Sequence, residues 1–420
     1  MIERYLNSKI NSIWDDQNKF DTWKLVQEKY VETLEDLNVA EKGISKKINQ
    51  SAVQKDEVYK KEEITNHDLA SFVDILQKKV GAGSNWIHYG LTSSDIVDTA
   101  NSILITQSLD YVMALVSDLL STLKNKAVKE KDTSIIGRTH GVYAEETFLG
   151  NIFGNWHLEV ARGLNRLENS KNNISFGKLS GPVGNHSVVT SEVEKLTLEK
   201  LSLNPEQFAN QIVSRDRYAE VVSSLGILAS TYERIATNIR SYQRSEISEM
   251  YESFKDGQKG SSAMPHKKNP IGSERITGLA RIMRSYVSTS LENMVLWNER
   301  DISNSSVERI MLPDAFHLIS FMSIELNSIL KHLVINYEQI NMNLEDAKNK
   351  SVSQKYLSYL VNNGIDRDAA YRKIQEEIFK NLSSEELKKE LEKEFKLEFP
   401  DLENQVIKNI DEKTFKDKFQ

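Results

Sequence analysis

Proline is scarce in this chain, and its placement is patterned. Six prolines occur in 420 residues, and none precedes Pro182. No Gly or Pro falls between Gly90 and Gly137, between Gly278 and Pro313, or from Asp314 to Asn363. Both residues interrupt helices: proline removes an N–H and clashes with the preceding turn, and glycine carries a backbone entropy cost. Stretches free of both permit helices far longer than the usual three turns. Apolar spacing agrees, because Val112, Val116, Leu119, Leu120, Leu123 and Ala127 recur at helical intervals, as do Leu326, Ile329, Leu330 and Leu333. Alternating strand patterns are scarce. The reading is an all-α protein with a central long-helix bundle. Punctuation suggests an N-terminal helical domain at 1–110, a central long-helix domain at 111–348 and a C-terminal helical domain at 349–420. The turn Val361-Asn362-Asn363-Gly364 and a capping box at Ser383–Glu386 fall in the last of these.

Hydrophobic residues make up 39% and charged residues 27%, the balance of a globular protein. The chain contains no cysteine, which excludes disulfides and thiolate chemistry. The start, Met1 to Leu6, lacks a basic region followed by an apolar stretch, and no apolar run reads as long enough to span a bilayer. The expectation is a cytoplasmic protein without a membrane partner. A net charge of -7 argues against nucleic-acid binding. Locally the balance reverses: Lys255, Lys259, Lys267, Lys268, Arg275, Arg281 and Arg284 stand against only Asp256 and Glu274. A compact basic region in an acidic chain suits a small anionic ligand.

That region contains the run Gly260-Ser261-Ser262-Ala263-Met264-Pro265-His266-Lys267-Lys268-Asn269-Pro270. Core packing does not call for such a segment. It reads as a mobile loop feeding a helix at Pro270, whose N-terminus favours anions. A plain surface linker, with Asn269 capping an ordinary helix, is the alternative. Three further segments concentrate reactive groups: Thr65-Asn66-His67-Asp68, Trp86 to Asp95 with His88, Thr92 and Ser93, and Gly137-Arg138-Thr139-His140-Gly141. His140 reads as standing just ahead of a helix. Thr92 to Asp95 also reads as a capping box. Histidine titrates near operating pH and suits proton transfer. His157, His186, His317 and His332 sit in plainer surroundings and read as structural. Neither a His-x-x-x-His pair nor clustered carboxylates point to a metal, and no cofactor is expected. In a fifth segment, Glu299 to Arg309, Arg300 and Arg309 flank serines including Ser305, a pattern suited to a phosphate or to a salt-bridged loop.

Taken together, these segments resemble the fumarase/aspartase superfamily and, within it, the adenylosuccinate lyase family. The 260–270 loop is similar to the superfamily signature. His88-x-Gly90-x-Thr92-Ser93-x-Asp95 and Thr139-His140 match its other two blocks. Pro265-His266-Lys267, the run Trp86 to Ser93 and the Glu299 to Arg309 segment favour adenylosuccinate lyase over the fumarase and aspartase branches. Arg275 departs from the family pattern, in which Asn commonly follows Glu274. The resemblance implies a three-domain, all-helical homotetramer whose active sites are built from several chains. It also implies release of fumarate by β-elimination, from adenylosuccinate and from the succinyl-carboxamide intermediate of purine synthesis.

The resemblance further implies roles for single residues. Ser261 would be the general base, with Ser262 beside it as a substrate-binding hydroxyl or the alternative base. Lys267 and Asn269 would hold the carboxylate where charge develops. His140 would protonate the leaving nitrogen, and Glu274 would orient a histidine. His67 would count among the catalytic residues by positioning the substrate, His88, Asn66, Asp68, Thr92, Ser93 and Gln211 would bind it, and Arg4, Tyr5, Arg300, Ser305 and Arg309 would receive its phosphate. Other readings stay open on the residues alone: an argininosuccinate or carboxymuconate lyase of the same superfamily, or a helical scaffold without activity.

Overall fold

The computed structural model describes residues 1–254, 257–258, 260–261, 263–380, 382–402 and 412–419. Ser262, Lys255, Asp256 and Lys259 lie outside the described residues. The protein is 67% helix and 5% strand. Five long helices dominate: Ser93–Lys129, Leu149–Ile174, Arg215–Tyr242, Ile271–Glu292 and Ser303–Lys331. The predicted stripes are buried, with Val112, Val116, Leu119, Leu123 and Ala127 each 0% exposed. Pro313 lies inside Ser303–Lys331, so the proline that closed one predicted stretch does not end the helix.

Contacts group the chain into two compact units. One comprises Met1–Leu119, Val160–Arg234 and Arg275–Leu326; the other comprises Leu120–Glu159, Ile235–Glu274 and Asn327–Gln420. In the first unit an aromatic and aliphatic core forms under helices Asp16–Asp36 and Asp68–Val80, around Phe20, Trp23, Tyr30 and Phe72. The long helices of this unit pack closely. A Cβ on Gly226 would lie 2.3 Å from Val287, so only glycine lets those two helices approach this far. Tyr232 and Ser323 meet at 3.0 Å, and Ser170 and Ser224 at 2.8 Å, which satisfies hydroxyls buried between helices.

In the second unit, strands Ser134–Thr139 and Val142–Phe148 form an antiparallel hairpin. His140 and Gly141 make its two-residue turn, with φ of 55° and 80°. Both left-handed values define the hairpin turn that matches strand twist, and glycine fills the second position without strain. His140 therefore caps a hairpin and does not precede a helix, because the 134–148 stretch pairs with itself. A separate apolar cluster around Tyr356, Leu360, Leu387 and Leu391 forms the C-terminal part of this unit. The capping box at Ser383 is present in both of its halves.

One helix, Ser93–Lys129, is long and apolar enough by length and composition to cross a membrane, where the sequence reading expected none. Its first turns bury Asp95, Asp98, Thr99 and Ser102 inside the unit. Two of these are charges paired with cations, so the apolar residues of this helix serve as core.

Candidate active site

In the first unit a hollow of about 540 Å³ gathers eight of the predicted residues: His67, Asp68, Thr92, Ser93, Gln211, Arg300, Ser305 and Arg309. Asn66, His88, Arg4 and Tyr5 are not among its lining residues. Asn66 ends helix Lys55–Thr65 in a left-handed conformation, which turns the chain so that His67 can start the next helix. His67 is that helix's N-cap, and its Nδ1 accepts the Ala70 N–H at 3.3 Å. A ring nitrogen that accepts carries no proton, so in the neutral ring Nε2–H faces Ser93 Oγ at 3.3 Å. Tyr5 packs edge-on against Phe321 at 5.0 Å, and Arg4 lies exposed in the turn Glu3–Tyr5.

Helix Ser93–Lys129 presents its start to this hollow. Asp95 Oδ2 accepts the Thr92 N–H at 2.8 Å, the acidic half of the expected capping box. The other Asp95 oxygen pairs with Lys178, and both side chains are 0% exposed. Lys178 also donates to the Gly181 carbonyl at 3.0 Å. This pair ties the helix start to the 180–184 loop.

A second buried charge cluster contributes to the lining of the hollow. Arg215 forms fork-shaped pairs with Asp98, at 2.5 and 3.0 Å, and with Glu308, at 2.8 and 3.0 Å. Asn304 donates to Glu308 at 3.1 Å and in turn meets Arg300 Nε at 3.4 Å.

Arg300 differs from its neighbours. Its guanidinium reaches Gln211 Oε1 at 3.1 Å, Ser94 Oγ at 3.3 Å and Asn304, all neutral acceptors. Burial pulls its pKa down, and Asp98 and Glu308 oppose that from further away. Among the described residues no carboxylate reaches it within ion-pair distance. Arg309, in contrast, pairs with Asp68 at 2.6 Å. Burial pushes Asp68 up, but the Arg309 charge and hydrogen bond outweigh it, and its carboxyl sits below the ordinary range.

The second unit holds His140, Ser261, Lys267, Asn269 and Glu274. The hairpin carrying His140 is anchored just behind its turn, where Arg138 makes two 2.8 Å bonds to the fully buried Glu249. Asn343 adds a third donor to that carboxylate at 2.8 Å. The His140 side chain is exposed at the tip. In the signature loop two backbone N–H groups, of Ala263 and Met264, point at Ser261 Oγ at 3.3 and 3.1 Å. Donors aimed at an oxygen favour negative charge on it. Asn269 Nδ2 donates to the Gly260 carbonyl at 2.8 Å, which joins the two ends of the loop and leaves the helix uncapped by that side chain. A hollow of about 720 Å³ beside the loop is lined by Arg240, Arg244, His266, Lys267, Asn269 and Glu274, among others. Among the described contacts of its unit, Glu274 makes no hydrogen bond to a histidine.

The sequence leaves the helix start after Pro270 open to an anion. It already holds one: Glu252 accepts from Ser273 N at 2.6 Å and Gly272 N at 3.2 Å. The Pro270 carbonyl receives the first helical bond, from Glu274 N at 3.0 Å, which makes Pro270 the cap. Arg275, the departure from the family pattern, pairs with Glu325 at 3.1 Å. The four remaining histidines make packing contacts or hydrogen bonds. His317 accepts from Asn7 N, His332 meets Ser328 O, His186 meets Val189 O, and His157 packs on Phe419.

The profile of a family described as Lyase matches residues 11–283. The chain belongs to this lyase family, within the fumarase/aspartase superfamily. Its curated relatives include an adenylosuccinate lyase of Thermotoga maritima, 42% identical over 92% of this chain and 90% of the relative. That of Aquifex aeolicus is 42% identical over 93% and 90%. Among solved structures, a fumarate lyase from a Mesorhizobium species superposes with a TM-score of 0.82 at 19% identity, over 100% of this chain and 95% of that one. A 3-carboxy-cis,cis-muconate lactonizing enzyme from Pseudomonas putida gives 0.82 at 21%, over 93% and 91%. At these identities the superpositions speak for the fold alone.

Proposed function

We propose that this carbon–nitrogen lyase cleaves adenylosuccinate to AMP and fumarate, and the corresponding succinyl-carboxamide ribotide to its free carboxamide. Arg300 carries the reading. A half-buried guanidinium among neutral acceptors leaves a cation available in a cleft, which suits the phosphate of a nucleotide. Arg309 and Ser305 line the same hollow and would complete that clamp. Thr92 and Ser93 would take a substrate carboxylate at the start of their helix.

In the reaction a base removes a proton from the carbon beside a carboxylate. The electron pair forms the double bond of fumarate, the C–N bond breaks, and the departing nitrogen takes a proton. Ser261 as base needs its alkoxide stabilised, and the two N–H groups on its Oγ support that role. Lys267 and Asn269 would hold the carboxylate that gains charge. His140 would supply the proton, and Glu274 would orient a histidine. The three-domain division and the homotetramer with shared sites belong to the same proposal. Val295 and Trp297, 82% and 81% exposed, are apolar surface that such an assembly would cover. A cytoplasmic location fits a chain of this kind acting on a purine nucleotide.

The test is to mix purified protein with adenylosuccinate, without added metal or cofactor, and follow the ultraviolet change as AMP and fumarate form. Arg300→Gln is expected to raise KM about 10- to 100-fold, the loss of a charge-assisted phosphate contact, with kcat changed less. An unchanged KM would remove Arg300 from the phosphate clamp. Absence of turnover from folded wild-type protein would overturn the substrate assignment and direct the search to argininosuccinate and carboxymuconate substrates.

A further inference from the structure

Gln27 was not singled out by its sequence context, yet the structure places it against one of the predicted site histidines. It sits on helix Asp16–Asp36 with 0% exposure, on the stripe that also carries Trp23, Tyr30 and Leu34. A polar residue on that apolar stripe needs partners. Both of its partners belong to one residue. Gln27 Oε1 accepts the His88 backbone N–H at 3.0 Å, and Gln27 Nε2 lies 3.0 Å from His88 Nδ1. One helical turn on, the Tyr30 hydroxyl donates to the Tyr89 carbonyl at 2.6 Å. The helix therefore grips the His88–Tyr89 segment at consecutive points, and His88 is held in a left-handed conformation with φ of 64°.

The geometry determines where the protons are. A backbone N–H can only donate, so the amide oxygen of Gln27 must face it. That orientation sends the amide NH₂ toward Nδ1, and an NH₂ can only donate as well. Nδ1 must then be the acceptor and carry no proton. In a neutral imidazole the single ring proton is left on Nε2.

We propose that Gln27 is a positioning residue that fixes His88 as a neutral imidazole with its proton on Nε2, making His88 a hydrogen-bond donor to an oxygen of the substrate. Burial, and then the charge of nearby His67, push the His88 pKa down to about 4, in keeping with a neutral ring. In this arrangement His88 binds and orients and takes no part in proton transfer. Its Nδ1 is occupied, and Nε2 already holds its proton. The functional half of this inference rests on the lyase reading above, while the tautomer does not.

The test is nitrogen NMR of wild-type protein carrying isotope-labelled histidine, with His88→Gln used to assign the signal. The expected spectrum shows Nδ1 unprotonated and Nε2 protonated at neutral pH. A proton on Nδ1 would overturn the proposal, and this readout does not depend on any substrate. Gln27→Glu replaces the donor facing Nδ1 with an acceptor, so the ring proton is expected to move to Nδ1. With it, kcat/KM for adenylosuccinate should fall at least about tenfold, the loss of one hydrogen bond to a charged group. Gln27→Met, which removes both contacts without burying a charge, should give mixed tautomers and a smaller loss. If both variants fold and keep the wild-type tautomer, Gln27 does not set it. If wild-type protein shows the expected tautomer but does not turn over adenylosuccinate, the substrate reading fails and the assignment of Gln27 stands.

Discussion

Arg215→Met is expected to destabilise the protein by about 3–5 kcal/mol, the cost of breaking a buried ion pair on one side. Arg215 is 4% exposed and holds two carboxylates, Asp98 on helix Ser93–Lys129 and Glu308 on helix Ser303–Lys331. Its NH1 also donates to the Val213 carbonyl at 2.8 Å. Methionine fills much of the volume but leaves two negative charges facing each other out of water. In a thermal melt this corresponds to a fall in midpoint of roughly 10 °C for a unit of this size. The cost comes from the stranded charges and much less from lost attraction, so a second variant separates the two. Combining Arg215→Met with Asp98→Asn and Glu308→Gln should recover most of the stability, because an uncharged buried cluster costs far less than an unpaired one. If the triple variant melted as low as the single one, packing and not charge would explain the loss. Activity has a separate expectation. Glu308 and Arg300 share Asn304, so the triple variant should refold the helices and still bind substrate more weakly.

The long helices could be read from the sequence because their signal is local: an interval without helix breakers and a stripe at helical spacing. The breaks between them were harder to see. From Asp314 to Asn363 nothing in the composition interrupts a helix, yet the chain stops at Lys331 and restarts at Tyr337. The break comes from pairing at a distance. Val334 and Ile335 join Met250 and Tyr251 as a short antiparallel pair, and the Asn336 side chain then caps the next helix. The hairpin around His140 was missed for a related reason. Its strands are half-exposed without clean alternation, so the period that betrays a strand is absent.

Within the site, the residues that could be read stand in loops where histidine, serine, lysine and glycine crowd into a few positions. The residues that hold them in place carry no such mark. Gln27 meets His88 across 61 residues, Lys178 meets Asp95 across 83, and Arg215 meets Asp98 across 117. A polar residue on the apolar stripe was a usable signal for Gln27. Lys178 stands in a glycine-dense segment, Phe176 to Gly184, which marks a special backbone without naming its anchor.

The sharpest expectation about chemistry concerns His140, and its position decides which substitution tests it. With φ at 55°, an alanine there would strain the turn as well as remove the imidazole. Asparagine tolerates the left-handed region and keeps a polar tip, but it cannot transfer a proton. His140→Asn is therefore expected to lower turnover of adenylosuccinate about 10²- to 10⁴-fold, the usual contribution of a general acid. The melting midpoint should stay within about 1 °C of wild type, as for a surface change with no buried partner. KM should change little, because the group is needed when the C–N bond breaks and not when substrate binds. The ion pair just behind the turn provides the contrasting case. Glu249→Gln leaves Arg138 without its carboxylate while the tip residue is intact, so stability and turnover should fall together. A His140→Asn protein that turned over adenylosuccinate at close to the wild-type rate would remove His140 from the proton-transfer step. Another group would then have to protonate the leaving nitrogen, and His67, which lines the hollow of the first unit, is the next histidine to replace.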